Sequence, residues 1–92
     1  MAQQPIVVDG GRVAMIQPKA GALGWWSIDD CCVMHQPAGD ALRAAYAAGD
    51  EVPVIFWHAG AQYVGRVLVV AVPDRWRLLG FWLRGTGAPK KQ

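Results

Sequence analysis

From Val52 onward the chain alternates apolar and polar positions with period two and is rich in β-branched and aromatic residues, which predicts strands over Val52–His58, Gln62–Val72 and Trp76–Arg84. Ala59-Gly60-Ala61 joins the first pair. Pro73-Asp74 joins the second, with proline at the first corner of a turn. The three runs read as an antiparallel meander. In the middle run Val64, Leu68, Val70 and Val72 alternate with Val67, Val69 and Ala71, so both faces are apolar and the strand is expected at the centre of a sheet, covered on both sides.

Before this point the pattern is mixed. Ile6-Val7-Val8 and Arg12–Ile16 flank Asp9-Gly10-Gly11 and read as a hairpin about a glycine turn. Pro18–Gly24 reads as loop. Trp25–His35 fits a short helix, with Ser27 as N-cap and Asp29 and Asp30 in the first turn, where negative charge is favoured. As a strand it would place Trp26, Ile28, Cys32 and Met34 on one face, with Asp30 interrupting. Pro37-Ala38-Gly39 breaks the chain. A helix follows over Ala41–Ala48, capped by Asp40 and Gly49, with Leu42, Ala45 and Tyr46 turned inward.

These elements predict an α+β, mainly β fold: a small curled antiparallel sheet or barrel of five to six strands with one or two short helices, Gly65 and Gly80 permitting bends. At 92 residues one core is expected, with 1–84 as a single globular domain and 85–92 as a flexible basic tail.

Composition sharpens this picture. Apolar side chains make up 53% of the chain and a further 11 residues are Gly, above the roughly 45–50% of ordinary domains on a comparable count. Five Trp are hard to bury in one small core, so part of the apolar surface is expected to face a partner. No apolar run reaches the ~20 residues of a membrane helix. The N-terminal residues lack the features of a secretory signal, and the adjacent Cys31 and Cys32 do not suit a disulfide with each other; together these point to a cytoplasmic site. The net charge of +2 is unevenly spread. All seven acids lie before residue 75, whereas Arg75, Arg77, Arg84, Lys90 and Lys91 follow without an acid among them.

The candidate chemistry is sparse. On a helix, Cys31 and His35 would face one another as a thiolate–imidazole pair or half of a metal site, but only His58 could add to them, so no metal, cofactor or catalytic residue is predicted. No phosphate-binding loop or serine nucleophile motif is present. What remains is the segment Arg75–Arg84. Strand alternation would put Trp76, Leu78, Trp82 and Arg84 on one side and Arg75, Arg77, Leu79, Phe81 and Leu83 on the other. Trp and Arg are the residues that most often anchor protein interfaces. Trp76, Trp82, Arg75, Arg77 and Arg84, with Trp25, are therefore the expected partner-binding residues of a non-enzymatic protein-binding module, whether inhibitor, adaptor or assembly subunit, and a homo-oligomer is one form such an assembly could take. Two alternatives compete with it: a small nucleic-acid-binding barrel, since Arg meets phosphate and aromatics stack on bases, and a Cys/His-dependent enzyme.

Overall fold

The computed structural model describes residues 4–16, 25–75 and 77–92. In chain order the elements are β1 (Ile6–Asp9), β2 (Arg12–Ile16), β3 (Trp25–Val33), α1 (Gln36–Ala48), β4 (Glu51–His58), β5 (Ala61–Ala71), β6 (Leu79–Gly85) and β7 (Lys90–Lys91). The expected meander forms: β4 pairs with β5 and β5 with β6, all antiparallel. From β6 the ladder continues to β3 and from β3 to β1, and β1 closes the ring by running parallel to β4, Ile6 beside Val54 and Val7 beside Ile55. The result is a closed five-stranded barrel, with β2 added along β3 and β7 along β5. It is a mainly β, α+β fold. The β4–β5 hairpin turns through Ala59 (φ 51°) and Gly60 (φ 77°), a two-residue turn whose positive φ values match the twist of the strands it joins.

The N-terminal region departs from its pattern in three ways. β1 and β2 do not form a hairpin with each other; both lie against β3, Val8 opposite Val33 and Arg12 opposite Asp29. At nine residues β3 is long enough to serve both, and Gly10 (φ 69°) bends the chain between them, its N–H donating to the Asp9 carboxylate at 2.8 Å. Trp25–Val33 is a strand and not a helix, because pairing on both sides and burial of its aromatic and β-branched residues outweigh a local N-terminal signal. The two aspartates are absorbed as a bulge. Between the Ile28–Leu83 and Cys31–Phe81 pairs, Asp29 and Asp30 together oppose the single Trp82, and Asp30 takes φ 61°. The extra residue moves the inward positions from Trp26 and Ile28 to Cys31 and Val33, leaving Met34 exposed.

The helix begins at Gln36, so Pro37 and Gly39 lie inside it rather than before it. Proline is tolerated in the first turn because its missing N–H has no partner there in any case. His35 is the N-cap, its carbonyl accepting from Ala38 and Gly39, and Asp40 accepts from the Gln36 side chain at 2.9 Å. Gly49 closes the other end in the left-handed conformation. The buried stripe is Gly39, Leu42 and Ala45; Tyr46, one residue past Ala45, points to solvent. Gly39 admits Leu78 so closely that a Cβ would lie 2.9 Å from its methyl group.

In β5, Val67 and Val69 are buried while Val70, on the outer face, is 45% exposed, so the strand is central in its pairing but not covered on both sides. Residues 85–92 are bound rather than loose. Gly85 ends β6, Thr86 N–H donates to Arg66 O at 3.0 Å, Lys90 and Lys91 pair with Val64 and Tyr63, and Gln92 N–H donates to Gln62 O at 2.8 Å. Composition alone suggested a tail; the unpaired edge of β5 captures it. Among the described residues no helix is long and apolar enough to cross a membrane.

The core centres on Trp26, which is 1% exposed. Its ring stacks on Phe56 (centroids 4.7 Å, 22°), which stacks in turn on Tyr63 (5.5 Å, 13°). The indole reaches from β3 across β6 to β5, where Gly85 and Gly65 leave it room: a Cβ on either would overlap the ring. Its N–H donates to Gly87 O, fixing the segment that follows β6. Gly65→Ala and Gly85→Ala are each expected to lower unfolding free energy by about 3 kcal/mol, since the rigid indole cannot move without disturbing Phe56. Gly87→Ala, with nothing near its added carbon, is expected to stay within ~0.5 kcal/mol. Urea denaturation of the three variants checks this.

Candidate protein-binding surface

Phe81 and Leu83 point into the barrel and are fully buried, which turns the intervening Trp82 and the following Arg84 outward on β6. The neighbouring β5 lays Leu68 beside Arg84 and Ala71 beside Trp82, with Val70 in a bulge between Val69 and Ala71. Trp82 is 46% exposed and Leu79 62%. Trp82 and Val70, with Arg84 two residues on, make an apolar outer patch ending in a cation, and Leu79 is exposed at the start of the strand.

The expected two-sided partition of Arg75–Arg84 holds from Phe81 onward and fails before it. β6 starts at Leu79, with Arg77 and Leu78 before it, and a second bulge at Gly80 (φ 94°), where Cys31–Cys32 oppose Phe81 and Leu79, shifts the phase. Leu78 therefore packs against the core and Leu79 faces solvent, the reverse of strict alternation. Arg75 and Arg77 belong to the connection between β5 and β6, both exposed, with Arg77 N–H donating to Asp74 O at 2.9 Å. Trp76 lies outside the described residues, as do Pro18–Gly24, which the sequence suggests as loop, and the Trp25 side chain; Trp25 itself opens β3 opposite Ile16. Of the six residues singled out from sequence, the structure places Trp82 and Arg84 on one continuous face and Arg75 and Arg77 on the adjoining turn.

Arg43 organises that turn. Its guanidinium donates to Pro73 O at 2.8 Å, Asp74 O at 2.7 Å and Arg77 O at 3.1 Å, and lies 5.6 Å from the centroid of the Phe81 ring. A loop carrying two further arginines is thus tied to the helix through its carbonyls. The only trace of this in the sequence is a lone cation on an alanine-rich helix; its acceptors lie 30 to 34 residues away.

The Cys31–His35 pairing expected on a helix is lost with the helix. Cys31 is buried in β3, its thiol donating to Phe81 O at 3.2 Å, whereas His35 is exposed at the start of α1. Burial pushes the Cys31 pKa up to about 12, reinforced by Cys32, Asp30 and Asp29 and opposed by a backbone hydrogen bond. Among the described residues no group of three His, Cys, Asp or Glu is placed to hold a metal ion. Asp29 lies opposite Arg12, and His58 rests by the Tyr63 ring at the β4–β5 turn.

Compared with protein-family models, curated proteins and solved structures, the chain matches none, so its surface must be read from its own geometry.

The thiols give a direct check of this geometry. In the native protein near neutral pH, Cys32 should be alkylated and Cys31 at least ~100-fold more slowly, since only thiolate reacts. Because the folded pKa of Cys31 lies above the value of 9.0 for a free thiol, its contribution to stability is complete below pH 9 and falls as pH rises from 9 towards 12, by at most ~1.4 kcal/mol per pH unit. The stability difference between the wild type and Cys31→Ala should therefore shrink over that window in denaturant titrations.

Proposed function

We propose that the chain is a non-enzymatic protein-binding module that acts through the outer face of β5 and β6. The observation that carries this reading is Trp82: half exposed in the middle of a strand whose neighbouring residues are wholly buried, with exposed Val70 on the adjoining strand and Arg84 two residues on. Exposed aromatic and aliphatic side chains bordered by arginine are the composition of an interface centre, where desolvation of a few large side chains dominates affinity. Arg43 clamps the adjoining turn through its carbonyls, which holds that side of the face in place. Asp29 and Asp30 bulge out of β3 across from Trp82, and their carboxylates would repel a phosphate backbone lying along β6, which favours protein over nucleic acid. Two free cysteines suit a reducing, cytoplasmic setting.

The test is affinity capture with wild-type bait and with Trp82→Ala and Arg84→Ala, followed by titration of whichever purified protein the wild type retains. Trp82→Ala should weaken that complex by about 30-fold with an unchanged melting temperature. Equal affinity of the variants and the wild type would overturn the reading. Oligonucleotide binding that falls steeply with salt would replace it with the nucleic-acid alternative.

A further inference from the structure

Gly80 has no side chain, and the space beside it is taken by another residue's charge: its position for a Cβ lies 3.4 Å from Oδ1 of Asp30, on the bulge of β3. Along the outer face of β6 the chemistry therefore reads carboxylate at the level of Gly80, indole at Trp82, guanidinium at Arg84. Each step spans two residues, roughly 6–7 Å along a strand. Among the described residues neither the Asp30 nor the Arg84 side chain has a hydrogen-bond or ion-pair partner; the one ion pair there is Arg66–Glu51. Asp29, by contrast, lies opposite Arg12.

A stripe that runs from negative through apolar to positive is complementary to itself when reversed. From this, and resting on the reading of this face as a protein-binding surface, we infer that the partner is a second copy of the same chain, docked by a two-fold axis that lies in the interface and crosses β6 at Trp82. Reversal sets Trp82 against Trp82 and Val70 against Val70 of the other copy, and brings Arg84 of each copy to Asp30 of the other. Two identical ion pairs then flank an apolar centre, the arrangement an isologous contact requires. Parallel alignment of the stripes would oppose Arg84 to Arg84 and Asp30 to Asp30, so charge also selects the orientation. The accessible surface of the chain is 6145 Å², so a standard contact of ~800 Å² per partner would cover about an eighth of it.

Sedimentation equilibrium of the full chain over roughly micromolar to millimolar concentration tests this. The wild type should form a reversible dimer. Arg84→Glu, which sets a carboxylate against Asp30 of the other copy, should weaken dimerisation by about 100-fold, tenfold for each symmetric contact, and Asp30→Lys should do the same. The decisive sample is their equimolar mixture. In a heterodimer of the two variants the introduced glutamate meets the introduced lysine, and the Asp30 kept by one chain meets the Arg84 kept by the other, so the mixture should associate where neither variant does alone. Because Asp30 has φ 61°, lysine there is strained, and Asp30→Asn, which tolerates that conformation, is run beside it and should also weaken the dimer at unchanged melting temperature. A monomeric wild type throughout, an Arg84→Glu variant that dimerises like the wild type, or a mixture no more associated than its components would each overturn the inference. A monomeric wild type whose heterologous complex is still lost on Trp82→Ala would overturn self-pairing while leaving the surface assignment standing.

Discussion

The indole of Trp26 spans three strands, and the barrel is arranged around the room it needs. A residue on β3 that stacks on Phe56 of β4, covers Gly85 of β6 and Gly65 of β5, and donates to Gly87 O couples most of the ring through one rigid side chain. Two of the glycines are thereby fixed by exclusion of volume rather than by backbone conformation, since neither has a positive φ. The same contact explains why residues 85–92 are held: once Gly87 O is bound, β7 is delivered to the edge of β5 and two lysines pair with Tyr63 and Val64. Among the described residues Trp26 is the largest fully buried side chain, so stacking and close packing on glycine do together what a larger core would share among many residues.

Local patterns with strong period or cap chemistry were legible in the sequence. The β4–β5–β6 meander, the left-handed Gly49 cap, the mainly β barrel class and the grouping of Trp82 with Arg84 on one side of their strand all follow from alternation and turn chemistry acting over a few residues, whereas which side faces solvent does not. What could not be read depended on partners distant in the chain. Trp25–Val33 carries a plausible helix start, and only its pairing with β1, β2 and β6 decides for a strand. Gly10 looks like a hairpin centre until β3 is seen to pair with the segments on both sides of it. Asp30 looks like helix-start electrostatics and is the extra residue of a bulge. Arg43 gives no local sign of the three carbonyls it binds, and the Cys31–His35 spacing has meaning only on a helix that does not form.

The two bulges in the β3–β6 ladder show how the surface is made. One adds a residue to β3 at Asp30, the other to β6 at Gly80, and they fall next to each other. Because they lie on opposite strands, the pairing is restored beyond them, while the side chains between are re-aimed: Cys31 and Val33 turn inward, Leu79 and Asp30 turn outward. The irregularity that defeats simple alternation is thus also what brings the Asp30 carboxylate over Gly80, on the strand that turns Trp82 and Arg84 outward.

The link between Trp26 and Gly87 also constrains the order in which the molecule assembles. Its donor and acceptor are 61 residues apart, and the strand that covers the indole comes sixth of seven, so the N-terminal half can form strands but cannot enclose its largest apolar ring until β6 arrives. Until then Trp26 and Phe56 stay open to solvent or to other chains. Long-range closure of this kind slows folding and prolongs exposure of sticky surface, which makes the interval before β6 docks the period in which this chain is most prone to aggregate.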